Sequence, residues 1–485
     1  MPIEDPSAPR FTLLGSLDGT LREWLRGHPL GHERGAIVLW RKLDRWSGPF
    51  AVSPRYVAVE VIPMTNDWVL DSSPAHVDFY KANLQALYHR CATERLVLGF
   101  AHNHPSGPGR FSAKDDANEE QMIRRLAAIN DPENELVALL LHGDRWYARV
   151  RSEHTPDVAH DARHLAVLGD QIGLHVPDAD DRDETLARQE AAFGKPFTSK
   201  LGALRFCIVG AGGTGSPSAT LLARAGASEI VIIDGDDLEA TNLNRVRGAT
   251  LRDVGRNKAA ILADFINAMG LRCRAHAIET FLQEPEALDA MSSADVVFSC
   301  TDNEASRDVM NLAIYYHSQA LIDSGLGGRI EVNADGPYLR MHHGRVNILL
   351  PEFGRCLYCH RVITPEQVKY EEATRRNPEL KQLSADELMA QHYLRDAGGE
   401  QAPGVAPFTS ATADFAIASL FDLIRPFRRL PDDLLRDCIR QDFVECRIYS
   451  NAPMDKADCA FCQEHVFRLR DERGVRLGLP YLGRY

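Results

Sequence analysis

The chain has 485 residues, enough for two or three domains that each bury a core. Its 55 basic residues against 68 acidic ones give a net charge of -13, which excludes a general nucleic-acid binder and describes an acidic enzyme. The opening MPIEDPSAPR has neither the basic start nor the apolar core of a signal peptide, and no apolar run approaches the ~20 residues of a membrane span, so a cytoplasmic protein with no membrane partner is expected.

In chain order, 36–42 and 56–63 read as strands from their apolar and β-branched content, and 74–93 as an amphipathic helix. A strand at 95–101 then delivers HNHPSGPGRFSAKD. His102 and His104 are two apart on an extended segment, so both side chains leave one face and can share an ion. Ser112 and Asp115 open the next helix. By itself SxxD is a helix N-cap with an acid three residues in, and needs no metal. With the HxH upstream it reads as the remainder of a metal site. Two imidazoles and one carboxylate leave the fourth position of zinc for water, the pattern of a catalytic site.

This spacing resembles that of the JAB/MPN metalloproteases, isopeptidases that cut after the C-terminus of ubiquitin-like proteins, over about residues 30–150. The resemblance implies a glutamate that takes the proton from the attacking water. Glu33, in HERGAIVLW, matches the family's glutamate two residues before a glycine and an apolar strand. Glu60, in YVAVEVIP, is the rival, and otherwise reads as the polar face of an alternating strand. Ser112 would hydrogen-bond the water or the developing oxyanion while capping its helix. This domain is expected over 1–155, then a linker and helical lead-in over 156–200, where VPDADDRDET at 176–185 is acidic and apolar-poor.

Phe206 to Val209 forms an apolar run that enters a turn with Gly210, Gly212, Gly213 and Gly215, and a helical segment follows. Strand, glycine-rich turn and helix make a nucleotide site, because missing side chains let the backbone approach a phosphate at a helix N-terminus. A second strand, 229–233, ends on Asp234, placed to hydrogen-bond a ribose hydroxyl. Gly210, Gly212 and Gly215 also satisfy GxGxxG, so a dinucleotide-dependent dehydrogenase fits this segment equally. Asn242, Arg245 and Lys258 follow, and later Asp302 ends another apolar strand in VVFSCTDN. Two cations and an acid suit a triphosphate with a divalent metal better than a nicotinamide cofactor.

Through GAGGTGS, DGDDLEATNLNR, GRNKA and CTDN the chain resembles the ThiF/MoeB/HesA family, the adenylating fold shared with activating enzymes of ubiquitin-like proteins, over roughly 186–461. The resemblance implies that Asp234 holds the ribose, that Asn242, Arg245 and Lys258 grip the phosphates, and that Asp302 coordinates magnesium. Arg188, in LARQEAAFG, is similar to the family's arginine that reaches into the partner subunit's ATP site, which implies a homodimer.

The ten cysteines are too sparse for a disulfide scaffold. Cys356 and Cys359 in RCLYCH, with Cys459 and Cys462 in DCAFCQ, supply the four thiolates of a closed structural zinc site. Between the pairs, 363–405 is expected as a helical insert rich in charge and helix formers such as Glu371, Glu372, Lys381 and Glu387, with most of its charges solvated. In many members of the family that the chain resembles, a cysteine that takes the activated tail as a thioester lies near the end of such an insert. Here GEQAPGVAPFTSATADF holds none, and Cys438 and Cys446 lie later, in segments that suit buried structural roles.

The expected fold class is α/β: an N-terminal JAB-like α/β domain, then a Rossmann-like ThiF domain with a mixed sheet over 201–485. The expected function is ATP- and Mg2+-dependent adenylation of the C-terminal carboxylate of a ubiquitin-like or sulfur-carrier protein, fused to a zinc peptidase for the same modifier, with one catalytic and one structural zinc. A conjugating enzyme or other acceptor would stand downstream. Two rivals remain: a nicotinamide-dependent oxidoreductase, and a non-catalytic scaffold that recognises a ubiquitin-like tail.

Overall fold

A computed structural model describes residues 5–43, 45–130, 132–177, 183–382, 404–463 and 476–482. The chain divides into two compact units, the first ending at residue 183 and the second beginning at 184.

The first unit is built on strands β1 (Arg10–Leu14), β2 (Gly35–Leu43), β3 (Arg55–Pro63), β6 (Val97–Asn103), β7 (Glu135–His142), β8 (Arg145–Ser152), β9 (Ala159–Asp161), β10 (His164–Leu168) and β11 (Ile172–His175). They form one mixed sheet in the order β11-β10-β1-β3-β2-β6-β7-β8-β9, and β4 (Val69–Ser73) and β5 (His76–Phe79) make a separate hairpin. Alternation along β2 drives the layering: Val38 and Trp40 pack with Leu21 and Leu25 of helix α1 (Gly15–Arg26). Ile37 and Leu39 pack on the other face with Tyr88 of α2 (Gln85–Glu94) and Met122 and Ile123 of α3 (Ala113–Ala127). A central sheet with helices on both faces results.

Three expectations are corrected here. The helix over 74–93 begins only at Gln85, because Val77 and Phe79 point into the core with strand alternation. The strand over 95–101 begins at Val97, since Arg95 takes a left-handed conformation (φ 53°) that ends α2, and it runs on through His102 and Asn103. The linker starting at 156 is instead sheet: β10 pairs in parallel with β1, so backbone hydrogen bonding carries the first unit past 155. Of the acidic stretch 176–185, residues 178–182 lie outside the described residues.

The second unit has parallel strands β12 (Arg205–Val209), β13 (Glu229–Ile233), β14 (Arg274–Ile278), β15 (Val296–Ser299) and β16 (Ala320–Asn333). Antiparallel β17 (Gly336–Leu349), β18 (Cys438–Asp442) and β19 (Arg447–Tyr449) extend the sheet in the order β14-β13-β12-β15-β16-β17-β18-β19. Its longer helices among the described residues are α4 (Ala187–Phe193), α5 (Lys195–Ala203), α6 (Gly215–Arg224), α7 (Lys258–Ala268), α8 (Pro285–Ser292), α9 (Glu304–His317), α10 (Pro365–Arg376) and α11 (Ala406–Ile424). Strands β12 and β13 are buried throughout, as parallel strands covered on both faces must be. The chain leaves β12 toward β13 and β14 on one side and returns to β15 and β16 on the other. The gap above β12 and β15 is thus the topological switch point, where such sheets bind ligands.

The expected insert over 363–405 begins with α10 and a 3-10 turn at Pro378–Gln382, and 383–403, with Glu387, lie outside the described residues. Two of its charges are drawn out of solvent. Glu371 accepts the Ala305 N–H at the start of α9 (2.7 Å), and Glu372 is buried. Among the described residues no helix is long and apolar enough to cross a membrane.

Candidate functional sites

Strand β6 carries His102 to its end, and His104 follows one residue beyond. The ring of His102 stacks on Phe100, two residues earlier on the same face (centroids 5.3 Å apart). His104 Nδ1 lies 3.2 Å from the Pro108 carbonyl, so its N–H donates there and Nε2 is left with a lone pair. Ser112 caps α3 in a closed capping box: its Oγ accepts the Asp115 N–H, and its own N–H donates to Asp115 Oδ2 (2.6 Å). That box turns the Asp115 carboxylate toward the imidazoles.

The donor atoms meet at the spacing of a single ion. His102 Nε2 is 3.3 Å from His104 Nε2 and 3.1 Å from Asp115 Oδ1, and His104 Nε2 is 3.5 Å from Asp115 Oδ2. Tetrahedral ligands 2.0–2.1 Å from zinc sit roughly 3.3 Å apart. Glu33 stands beside this cluster, its Oε1 3.9 Å from His104 Nε2, whereas Glu60 pairs with Arg90 at 2.7 Å, so of the two glutamates only Glu33 is placed at the cluster. Burial raises the pKa of Glu33. Burial opposes ionisation of Asp115 as well, but the facing His102 and His104 side chains outweigh it and hold that carboxyl below the usual range. Ser112 Oγ also donates to Asp115 Oδ2 (2.7 Å), so in this structure its hydroxyl proton serves the carboxylate.

At the switch point of the second unit, β12 ends in the glycine turn. Gly210 has φ 94°, and a Cβ there would lie 2.7 Å from the Cys300 carbonyl. A Cβ on Gly215 would fall 1.7 Å from the carbonyl of Gly210. Only glycine fits either position. Gly212 faces open space, while a Cβ on Gly213 would come within 3.2 Å of Arg245 Cδ and 2.9 Å of Thr409. The glycine turn therefore meets the Asp302 loop, Arg245 and the start of α11 at one place.

Asp234 is half-buried, its partial removal from water raises its pKa, and it clamps this turn. Its Oδ2 accepts the Ala211 N–H (2.7 Å) and its Oδ1 accepts the Asp236 N–H (2.9 Å). Asn257, the residue before Lys258 in GRNKA, caps α7 through the Ala259 and Ala260 N–H groups. It also donates to the Asp234 carbonyl (2.9 Å), setting Lys258 at the first position of the helix beside Asp236 (3.1 Å). Asn242 is buried, and its Oδ1 accepts the Glu239 N–H. Asp302 is exposed at the end of β15. Behind its loop, Arg307 donates to the Thr301 carbonyl and pairs with the fully buried Asp323 (3.0 Å), which also faces Arg345 (3.0 Å). Only the tertiary pairing of β15 and β16 brings Asp323 to this loop. Arg188 is exposed on α4 and makes no hydrogen bond or ion pair among the described residues.

Cys356, Cys359, Cys459 and Cys462 converge, with Sγ–Sγ separations of 3.6 Å for three pairs. A disulfide would need about 2.05 Å, while thiolates 2.3 Å from a tetrahedral zinc lie about 3.8 Å apart. The four fit zinc. Asp437 stitches this knuckle to β18, accepting the Arg355 N–H (2.9 Å) and lying 3.3 Å from His360 Nε2. Cys438 is 1% exposed, and its thiol is held below its usual pKa: burial pushes it up, but His360 more than compensates. Cys446, expected to be buried, is exposed, because it occupies a left-handed position (φ 54°) in the turn between β18 and β19.

A doubly wound sheet with a glycine turn at its switch point places the second unit among the nucleotide-binding α/β folds. The model described as the ThiF family matches residues 186–448, more than half of the chain, and the chain belongs to that family. It is 34% identical over 128 residues to the sulfur carrier protein ThiS adenylyltransferase of Escherichia coli strain K12, covering 26% of this chain and 51% of the relative. It is 33% identical over 138 residues to the adenylyltransferase and sulfurtransferase MOCS3 of Culex quinquefasciatus, covering 27% of this chain and 32% of the relative. The chain thus spans about half or less of these curated relatives. Among solved structures, E. coli MccB with ATP is 19% identical with a TM-score of 0.41, over 58% of this chain and 75% of that one.

Two zinc ions per chain are expected from the two clusters. Replacing Cys356 with serine should remove one and lower stability by upwards of about 3 kcal/mol, since a closed site contributes folding free energy. Replacing His104 with alanine should remove the other with little effect on the second unit. Metal analysis with thermal melts checks both, and a single zinc in the wild type contradicts the assignment.

Proposed function

We propose that the second unit adenylates the C-terminal carboxylate of a ubiquitin-like or sulfur-carrier protein. The observation that carries this reading is the meeting of the glycine turn, Arg245, the Asp302 loop and the Lys258 helix at one switch point. The glycine turn and the start of α6 cradle the phosphates of ATP. Lys258 and Arg245 neutralise them, Asn242 holds the loop that carries Arg245, and Asp234 orders the turn beside the ribose. Asp302 would hold Mg2+, which when bound offsets phosphate charge. A carboxylate oxygen of the modifier attacks the α-phosphorus, the bond to pyrophosphate breaks, and acyl-adenylate and pyrophosphate result. Positioning and charge neutralisation do the work. A nicotinamide oxidoreductase would leave Lys258 and Asp302 without a task.

Arg188 is proposed to complete the site of a partner subunit in a homodimer. In ATP–pyrophosphate exchange, Asp302→Ala should lose activity by about 10²–10³-fold while staying folded. An equimolar mixture of Arg188→Ala and Lys258→Ala chains should regain part of it. Full exchange by a folded Asp302→Ala removes that residue from the mechanism, and no recovery in the mixture removes the shared site.

No exposed thiol is described beside the glycine turn, so the enzyme is proposed to stop at the acyl-adenylate, or to pass it directly to a thiol or amine of another protein, such as a conjugating enzyme. Non-reducing gels of enzyme, ATP and modifier should show no reductant-sensitive adduct. An adduct that disappears in Cys446→Ala or Cys438→Ala overturns this.

For the first unit we propose a zinc peptidase of JAB type that cuts after the C-terminus of the same modifier, in the cytoplasm. His102, His104 and Asp115 would hold zinc, which when bound polarises the scissile carbonyl. Glu33 takes the proton of the attacking water and hands it to the leaving amine. Ser112 orients Asp115 and meets the oxyanion when its hydroxyl turns outward. Glu33→Gln should retain both zinc ions and lose peptide cleavage by about 10²–10⁴-fold. Unchanged cleavage of a modifier fusion by that variant transfers the role to another residue.

A further inference from the structure

One buried carboxylate in the first unit lies outside every role given so far. Glu119 sits on α3 one helical turn past Asp115, is 1% exposed, and takes two arginines at once. Arg149 Nη2 lies 2.8 Å from its Oε1, and Arg151 Nε lies 2.8 Å from its Oε2. The two arginines are two apart on β8, so both leave the same face of the sheet toward α3. Asp116 pairs with both as well, at 3.0 Å to Arg149 and in a closer contact to Arg151, so two cations meet two anions.

The network reaches the metal ligands by two routes. Through the helix backbone it fixes the rotation of α3, and with it the direction of Asp115. Through Arg149 it reaches His102: the guanidinium lies 3.8 Å over the ring of Phe111, and Phe111 closes on His102 (centroids 6.1 Å) from a different contact than the stacked Phe100. A flat cation over an aromatic face holds that ring in place.

We infer that Glu119 is a positioning residue that sets Asp115 and His102 for one ion, acting through α3 and through the Arg149–Phe111 stack. This rests on the metal-site reading above. Outer groups that orient ligands govern metal affinity even though they never touch the ion.

The test is optical titration of the first site with Co2+ in the full-length protein, its tetracysteine site left loaded. Histidine–carboxylate coordination gives visible ligand-field bands without the sulfur charge-transfer bands of the cysteine site. Glu119→Gln should raise the Co2+ dissociation constant about tenfold while the far-UV spectrum is unchanged. Arg149→Lys keeps the charge but not the flat group over Phe111, and should raise it by a smaller factor. Met122→Ala, which opens a cavity under the same helix, should lower the melting temperature and leave the constant alone. A folded Glu119→Gln that binds Co2+ like the wild type overturns the inference, as does equal weakening by Met122→Ala. Should Glu119→Gln not fold, an unchanged constant in Arg149→Lys overturns it. Failure of the wild type to bind Co2+ overturns the metal site itself, and the inference with it.

Discussion

The second unit depends on keeping a turn free of side chains at the switch point, and Asp234 is the group that holds it. Burial works against this carboxylate, and the N–H groups of Ala211 and Asp236 support it, so the acid and the turn stabilise each other. Asn257 extends the same logic to the next helix by donating to the Asp234 carbonyl and capping α7. From there the position of Lys258 follows without further adjustment. The proposed phosphate grip is thus a chain of side-chain-to-backbone hydrogen bonds, from Asp234 through Asn257, that ends on Lys258.

The first unit solves a related problem with different parts. A metal site needs its ligands directed before an ion arrives, because imidazoles and carboxylates left free would turn to water. Here β6 directs His102, the Pro108 carbonyl directs His104, and the Ser112 capping box directs Asp115. The capping reading and the proposed metal reading of Ser112 and Asp115 are therefore compatible: the cap aims the carboxylate at the imidazoles. Glu33 is drawn in by β2 pairing with β6, where Gly35 lies opposite His102.

The tetracysteine knuckle ties two distant segments of the second unit, about a hundred residues apart, to the end of its sheet. Its neighbours Asp437 and His360 also surround Cys438, which is why that thiol is perturbed yet sealed from solvent. A perturbed pKa marks a functional site only when a substrate can reach it.

The local chemistry was legible in the sequence by itself, because it follows from spacing. HxH with SxxD, the paired CxxC, the glycine turn and the strands ending on Asp234 and near Asp302 need only helix and strand periodicity to be read. Periodicity alone does not choose between Glu33 and Glu60; the family resemblance favours Glu33, and strand register, with Arg90 claiming Glu60, is what stands Glu33 beside the histidines. Nor could periodicity show that 159–175 belongs to the first sheet. Strands of three to five residues carry too little pattern, and only pairing with β1 gives them a place. Asp323, Asn257 and Glu119 were invisible for the same reason. A buried polar residue is defined by the partners that satisfy it, and those partners lie on elements that only the tertiary fold brings together.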